Sequence, residues 1–281
     1  VFTHLPWIVR FLRNCTTARV EHIAKSLSSF SSHARFAYEE IFNEVDVSKY
    51  IVHKEPIYLY ESKELFEKDQ YAFNLRKKYN VHFDIISKED IAKMEPSLEP
   101  IYYKGIVLKG ECFTRSPIQI TKKIFDNFMN NGGHFVLTKI DSIFRNGDSL
   151  FLKYNKQEHQ VDKIVVAAGV WSNVLARTIG DNFPLDTERG YHIIFENNSS
   201  LLTHSVGWAK TGFYMTPMED GIRVAGTVEI AGLKKPMNNN ILTMIETTAR
   251  SILPQLGKVK SQWMGFRPTL PDSLPVIGES Q

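Results

Sequence analysis

Arg267 is the residue of this chain whose surroundings most favour recognition of an anion. It lies in the segment Trp263–Gly278, where Pro268, Pro271 and Pro275 stiffen a predicted loop. A guanidinium on an ordered backbone can form a bidentate pair with a carboxylate and loses little side-chain entropy in doing so. A surface arginine in a proline-rich loop is the plain alternative, but it does not explain the dense glycines and prolines. The segment therefore predicts a carboxylate-binding arginine on a rigid loop.

Two predicted strands carry ring side chains that a substrate could contact. The segment Arg189–His192 reads as the start of a strand, which could turn either Tyr191 or His192 toward a cavity. A later hairpin offers Tyr214 on its first strand, and its second strand is Ile222–Val228. Aromatic residues on strands are often core residues, so sequence alone leaves both interpretations open.

The run Ile164–Gly169 is continuously apolar and rich in β-branched residues, and it leads into a predicted helix at Ser172. Such a run is typical of a strand that is buried on both faces. Small residues at its end let a ligand approach the backbone and the free N–H groups of the helix start. Any parallel strand of an α/β protein would look the same. The β-meander before it, with a hairpin turn at Asn146-Gly147, favours the functional interpretation.

The elements around these segments alternate between helical and antiparallel-strand patterns, which predicts two domains threaded through each other. Predicted helices cover residues 17–42, 62–79, 88–95, 117–131, 172–179 and 240–253. Predicted strands cover residues 56–60, 134–139, 140–145, 149–154, 164–169, 191–195, 212–216 and 222–228.

Composition excludes several classes of protein. The chain has 281 residues, 43% hydrophobic and 23% charged, with a net charge of +3, which is typical of a globular protein and gives no indication of nucleic-acid binding. The nine histidines form no metal-ligand motif, and no apolar run is long enough to span a bilayer. Cys15 and Cys112 lie far apart, which indicates a reducing compartment. We expect a cytoplasmic protein without a metal site.

Four segments in this order resemble the FAD-dependent family that includes D-amino-acid oxidase and glycine and sarcosine oxidase, and above all bacterial D-amino-acid dehydrogenases. They read VVAAGVWS, RGYH, YMTPMEDGIRVAGTVE and GFRPTLPDSLPVIG. The stretch FLRNCTTAR near the start is similar to the dehydrogenase branch. The family's opening strand–GxGxxG–helix unit and its closing Gly-His-rich stretch are not present in the chain. We therefore expect these 281 residues alone to bind FAD weakly or not at all and to be inactive.

The resemblance implies an α+β or α/β fold: an incomplete, Rossmann-like FAD-binding domain interleaved with a substrate domain built on a mixed, mostly antiparallel sheet. On this basis the FAD-binding remnants are residues 1–47, 111–181 and 266–281. The substrate domain is residues 48–110 and 182–265.

The resemblance also implies roles for the substrate site. Arg267 matches the arginine that pairs with the substrate carboxylate, and Tyr214 matches a tyrosine that hydrogen-bonds the same group. Tyr191 and His192 are placed beside the active-site cavity. The reaction implied is hydride transfer from Cα of a D-amino acid to FAD, which yields a 2-oxo acid and ammonia after hydrolysis of the imino acid.

For the cofactor, the resemblance implies that the backbone of Ile140 touches the adenine end of FAD. Ala168 and Gly169 would line FAD near its phosphates and ribose, and Trp171 would also contact the cofactor. The partners implied are a small amino-acid substrate and FAD, with a peripheral contact at the inner face of a bacterial membrane left open for the dehydrogenase branch. The electron acceptor and the oligomeric state are also left open.

Two alternatives remain at this point. The substrate could be a secondary amine, such as sarcosine or a D-proline derivative. The shape of the cavity near Tyr191, His192 and Tyr214 decides which substrate fits, and the sequence does not show that shape. The chain could also be a non-catalytic subunit with the same substrate-domain fold. Retention of both Arg267 and Tyr214 speaks against such a subunit, since a scaffold needs neither.

Overall fold

The computed structural model describes residues 4–196 and 199–280 of the chain. The helices in these residues are α1 Leu5–Arg13, α2 Thr17–Ser31, α3 Ala34–Glu44, α4 Lys63–Lys68, α5 Gln70–Lys78, α6 Lys88–Met94, α7 Pro117–Asn130, α8 Ser172–Ala176 and α9 Asn239–Ile252. The strands are β1 Ile51–Val52, β2 Ile57–Tyr60, β3 Phe83–Ile86, β4 Lys104–Leu108, β5 Phe113–Thr114, β6 Ser142–Asn146, β7 Ser149–Tyr154, β8 Gln157–Val161, β9 Asp186–Phe195, β10 Val206–Trp208, β11 Phe213–Met218, β12 Gly221–Ile230 and β13 Val259–Thr269.

An eight-stranded sheet dominates the structure, with strand order β13-β9-β12-β11-β10-β2-β4-β3. All neighbouring strands in it are antiparallel except β10 and β2, which are parallel. A separate three-stranded meander, β6-β7-β8, has the predicted hairpin turn, with Gly147 at φ +58°. The mixed, mostly antiparallel sheet with helices confirms the predicted fold class.

Helix α9 covers one face of the large sheet because its apolar residues recur every three or four positions. The buried members of this stripe are Leu242, Ile245, Ala249 and Ile252. They join one core cluster with the inward-facing side chains of β9, β11 and β12. We call this side of the sheet the core face.

Strand β9 alternates strictly between buried and partly exposed residues, so each side chain has a defined face. On the core face, the fully buried Arg189 lies 3.6 Å (Nη1 to Oε2) from Glu229 of β12. Tyr191 Oη donates to the same Glu229 Oε2 at 2.7 Å, and Lys235 Nζ donates to Glu229 Oε1 at 3.1 Å. The network compensates a guanidinium that would otherwise be unpaired and buried.

A β-bulge in β12 lets Glu229 reach this network. The register pairs Gly226 with Tyr191 but Val228 with Gly190, so Thr227 is an extra residue on β12. Thr227 has φ +58°, the left-handed conformation that a bulge can require.

A second buried polar group, Glu95, ties the end of α6 to the segment before β10. Its carboxylate is 1% exposed and accepts hydrogen bonds from Thr203 N, Thr203 Oγ1 and His204 N. His204 Nδ1 lies 2.6 Å from Glu95 Oε1. These contacts satisfy both oxygens and close the segment against the sheet.

The structure corrects two helix predictions. The helix predicted over residues 17–42 is broken into α2 and α3, because Ser32 Oγ and His33 Nδ1 bond to the carbonyl of Ser29 and compete with the helical backbone pattern. The helix predicted over 62–79 is likewise divided at Asp69. The helix predicted over residues 88–95 is confirmed as α6, which begins with a capping box formed by Ser87 and Asp90.

Two strand predictions are wrong for these residues. Residues 134–139 and 164–169 form no strand, and Val165 is 90% exposed instead of buried on both faces. A strand needs a neighbour for its backbone hydrogen bonds, and no other described strand pairs with either run.

The segment Trp263–Thr269 is also not the loop that its prolines and glycines suggested. It is the second half of β13, which pairs with β9 along its whole length. Strand β13 lies at the edge of the sheet, where Pro268 can be accommodated without a second neighbour. The strand runs past residue 266, the predicted domain boundary; the division into domains itself remains a prediction.

Candidate active site

The face of the large sheet opposite α9 brings together most of the predicted substrate residues. Register pairs Tyr214 with Ala225, Ala225 with His192, and His192 with Trp263. Directly opposed residues of a sheet point to the same side. These four residues therefore form one transverse row across β11, β12, β9 and β13. We call this side the open face.

A pair of neighbouring rings borders each end of this row. At one end, Tyr58 of β2 lies against Tyr214, with ring centroids 5.7 Å apart. Both rings pass over Gly207, where an added Cβ would lie 2.2 Å from Tyr58 Cδ2 and 2.8 Å from Tyr214 Cε1. At the other end, His192 stacks on Trp263 at 4.9 Å, and the indole remains 53% exposed.

Small residues form the floor between the two ring pairs. Ala225 lies between Tyr214 and His192 in the row, and Gly190 follows one step along the open face of β9. A Cβ added at Gly190 would meet no heavy atom within 4 Å. The open face therefore has room for a small molecule between aromatic walls.

Burial sets the protonation states of this row. It raises the pKa of Tyr214, an effect that the positive charge of Arg76 partly opposes, and it also raises the pKa of Tyr58. Burial lowers the pKa of His192, and the charge of Arg223 lowers it further. At pH 7 the two phenols are protonated hydrogen-bond donors and the imidazole is neutral.

Arg267 lies on the same open face, on the edge strand β13, opposite Glu188 of β9. Three strand spacings, roughly 14 Å, and four residues, roughly 13 Å along the strands, separate it from Tyr214. Extended arginine and tyrosine side chains each reach about 6–7 Å from Cα. With both side chains extended toward each other, the remaining gap is about the span of one carboxylate with a hydrogen bond on each side.

Tyr191 does not share this face. Its ring is 2% exposed, packs in the core under α9, and its hydroxyl is engaged by Glu229 and by Asn238 N. The alternation along β9 separates neighbours, so His192 lines the open face and Tyr191 lines the core. The expectation that both lie beside one cavity is therefore corrected for Tyr191.

The predicted cofactor residues lie on a segment that contacts the edge strand β13 at Phe266, which is paired with Arg189 and therefore points to the core face. Gly169 has φ +57°, and a Cβ there would meet nothing within 4 Å, so the backbone at Ala168 and Gly169 is open to close approach. Trp171 packs edge-on against Phe266, the neighbour of Arg267, with centroids 6.0 Å apart.

Ile140 lies just before β6 and is half-buried. Thr178 connects its segment to the Gly169 segment, because Thr178 Oγ1 accepts from Ile143 N at 3.1 Å and donates to Ile143 O at 2.8 Å. An uncovered glycine turn beside an exposed indole fits an extended ligand such as FAD. The assignments of Ile140, Ala168, Gly169 and Trp171 to particular parts of FAD remain predictions.

Sequence reasoning missed two residues of the open face, Tyr58 and Arg223, and also the stacking role of Trp263. A signal for Arg223 was present. The turn at Glu219-Asp220 fixes the hairpin register, so Thr216 must oppose Arg223 and Tyr214 must oppose Ala225. No comparable local signal places Tyr58 or Trp263, since their neighbours are distant in sequence.

Within residues 4–196 and 199–280, no cluster of histidine, cysteine, aspartate and glutamate could hold a metal ion. In the same residues, no helix has the length and apolar character needed to cross a membrane.

Comparison with solved structures identifies the same architecture in flavoenzymes. Glycine oxidase from Geobacillus kaustophilus superposes with a TM-score of 0.76 and 18% identity, over 89% of this chain and 68% of that one. L-proline dehydrogenase from P. horikoshii superposes with a TM-score of 0.72 and 16% identity, over 95% and 71%. At these identities the likeness concerns the fold.

Sequence comparison finds relatives with higher identity. A D-amino-acid oxidase from Bradyrhizobium diazoefficiens is 30% identical over 285 residues, which cover 99% of this chain and 67% of that protein. A glycine oxidase from Pseudomonas putida is 35% identical over 120 residues, 42% of this chain and 32% of its own length. The sequence model described as FAD dependent oxidoreductase matches residues 10–281. The chain therefore belongs to the family of FAD-dependent oxidoreductases.

Proposed function

We propose that this protein oxidises D-amino acids to imino acids, which water hydrolyses to 2-oxo acids and ammonia. Relatives named D-amino-acid oxidase and D-amino acid dehydrogenase, the latter 24% identical over 98% of this chain, support the substrate class. The substrate loses a hydride from Cα and a proton from its amino group, which leaves a C=N bond. Water then adds to that bond and ammonia leaves.

The chain's own part in this reaction is to hold the substrate. Arg267 donates two hydrogen bonds to the substrate carboxylate, and the protonated phenol of Tyr214 donates a third from across the floor. Holding the carboxylate at both sides fixes the direction of the Cα–H bond, and orientation of this kind contributes much of the rate enhancement.

FAD, when bound, supplies the two-electron acceptor for the hydride. Ala168, Gly169 and Trp171 would hold it, because their backbone turn is open and Trp171 contacts the strand that carries Arg267. The Tyr58–Tyr214 and His192–Trp263 ring pairs border the site at its two ends.

One observation carries the proposal: Tyr214 and Arg267 share the open face of the sheet, and Trp171 of the predicted cofactor segment packs on Phe266, the residue that precedes Arg267 in β13. A non-catalytic subunit would need neither feature.

The test is anaerobic mixing of the FAD-loaded enzyme with D-amino acids, their L-enantiomers, sarcosine and D-proline. We expect the flavin absorbance to bleach with primary D-amino acids, with release of ammonia and a 2-oxo acid. Bleaching by L-enantiomers or by the secondary amines alone would contradict the proposal.

A further inference from the structure

A second arginine, Arg223, faces the same floor as Tyr214 and His192. On β12 it lies opposite Thr216 of β11 and Ile194 of β9. It is therefore the diagonal neighbour of both Tyr214 and His192, within reach of a long side chain. Its position is fixed by the hairpin register and not by loop conformation.

The guanidinium of Arg223 is not neutralised by a contact in the described part of the chain. Its Nε atom is buried and has no hydrogen-bond partner, and no carboxylate lies within ion-pair distance of it among the described residues. Burial lowers the pKa of Arg223, and the charge of Asp220 at the nearby turn raises it. A half-buried cation with an unused donor favours an anionic ligand.

The carboxylate on the open face of β9 is Glu188, which lies opposite Arg267 and six residues along the strand from the position opposite Arg223. His192 is neutral at pH 7, because burial and Arg223 both lower its pKa. Beyond Tyr214 stands another cation, Arg76, whose Nη1 is also buried without a partner. Asp220 lies at the hairpin turn, at the rim of the face.

The distance between Arg223 and Arg267 fits a ligand with two acidic groups. The register places them six residues apart along the strands, roughly 20 Å, and two strands apart, roughly 10 Å. With both arginine side chains extended toward each other over Ala225 and Gly190, at about 6–7 Å each, the guanidinium groups come within roughly 9 Å. In that arrangement a short diacid fits between them, with one ion-pair contact at each end.

We propose that Arg223 binds an acidic group on the substrate side chain, so that the preferred substrates are D-amino acids with a side-chain carboxylate, of the aspartate and glutamate class. The inference rests on the proposed function, since it takes Arg267 as the partner of the α-carboxylate. It adds a determinant of specificity at the opposite end of the floor.

The test compares each acidic substrate with its amide, which has nearly the same shape and no charge. In the FAD-loaded enzyme we expect kcat/KM for D-glutamate to exceed that for D-glutamine by roughly 10- to 100-fold, the value of one charge-assisted contact. In Arg223→Gln the ratio should fall to near one, chiefly through KM. Arg223→Lys should keep part of the preference, and Arg145→Gln, an exposed arginine on β6, should keep all of it. An unchanged ratio in Arg223→Gln overturns the inference.

A binding measurement separates this inference from the proposed function. Glutarate and butyrate cannot be oxidised as amino acids, and their binding can be followed by titration against the flavin spectrum. We expect glutarate to bind the enzyme at least tenfold more tightly than butyrate, and Arg223→Gln to abolish the difference. If D-amino acids are not oxidised but this difference is found, the proposed function fails and the anion site stands. If neutral D-amino acids are oxidised and glutarate binds no more tightly than butyrate, the proposed function stands and the anion site at Arg223 fails.

Discussion

Replacing Arg267 by glutamine is the most direct perturbation of the proposed substrate site. Two charge-assisted hydrogen bonds would be lost, each worth about 1.5–3 kcal/mol. Because Arg267 is exposed at the edge strand, water replaces part of the lost pairing, and we expect about 2–3 kcal/mol of transition-state binding to disappear. This corresponds to a loss of roughly 30- to 150-fold in kcat/KM.

The assay is steady-state oxidation of D-alanine, combined with titration of propionate, an unreactive carboxylate, against the flavin spectrum. Both kcat/KM and propionate affinity should fall. Arg267→Lys keeps the charge but not the bidentate geometry, so its loss should be intermediate. Arg145→Gln on β6 is the matched control and should be unaffected.

Thermal unfolding separates binding from stability in this experiment. Arg267 is exposed on β13, so its replacement should change the free energy of unfolding by about 0.5 kcal/mol or less. A kcat/KM within threefold of the wild type, in a variant that folds normally, would refute the role of Arg267 and the carboxylate bridge to Tyr214.

Three further predictions follow from the packing. Gly207→Ala should displace the ring of Tyr214, because the added Cβ would lie 2.8 Å from Cε1. In steady-state assays this variant should raise KM for D-alanine severalfold. Its effect on Tm should be small compared with that of Glu95→Leu. Glu95→Leu should destabilise the protein by about 3–5 kcal/mol in urea unfolding, since it leaves buried donors unpaired; a loss below about 1 kcal/mol would contradict this. For Glu229, burial raises the pKa, but the hydrogen bond from Tyr191 and nearby cations lower it below the usual value overall. Its stabilising contribution should therefore be complete above the unfolded-state pKa and be lost as pH falls through the folded-state pKa. The difference in unfolding free energy between wild type and Glu229→Gln should then be larger at pH 7 than at pH 3.5, and a difference that does not change with pH would exclude this.

Local signals in the sequence predicted the elements that local interactions determine. The turn before Gly221 fixed a hairpin, and a capping box of Ser87 with Asp90 begins the helix predicted over residues 88–95. Apolar residues at helical spacing located α9. In each case the residues that decide the structure lie within a few positions of one another.

The predictions that failed depend on distant partners. Pro268 and the glycines before it are typical of a loop, yet pairing with β9 makes the segment an edge strand. The run of residues 164–169, which contains Val165, has the composition of a buried strand but has no strand beside it among the described residues. Likewise, whether Tyr191 or His192 lines the open face depends on the register between β9 and its neighbours, which the motif itself does not contain.

The extra residue Thr227 determines which face of the sheet the side chains of β12 point to on either side of it. Ahead of it, alternate side chains such as Arg223 and Ala225 point to the substrate side. Beyond it the alternation is inverted, so that Glu229 points to the opposite side and meets Arg189. Deleting that single residue would turn Glu229 to the open face and leave the buried guanidinium of Arg189 without its counter-charge. Insertions and deletions in this strand should therefore be selected against more strongly than most substitutions, and the spacing between Arg223 and Glu229 should be kept even where the residues between them vary.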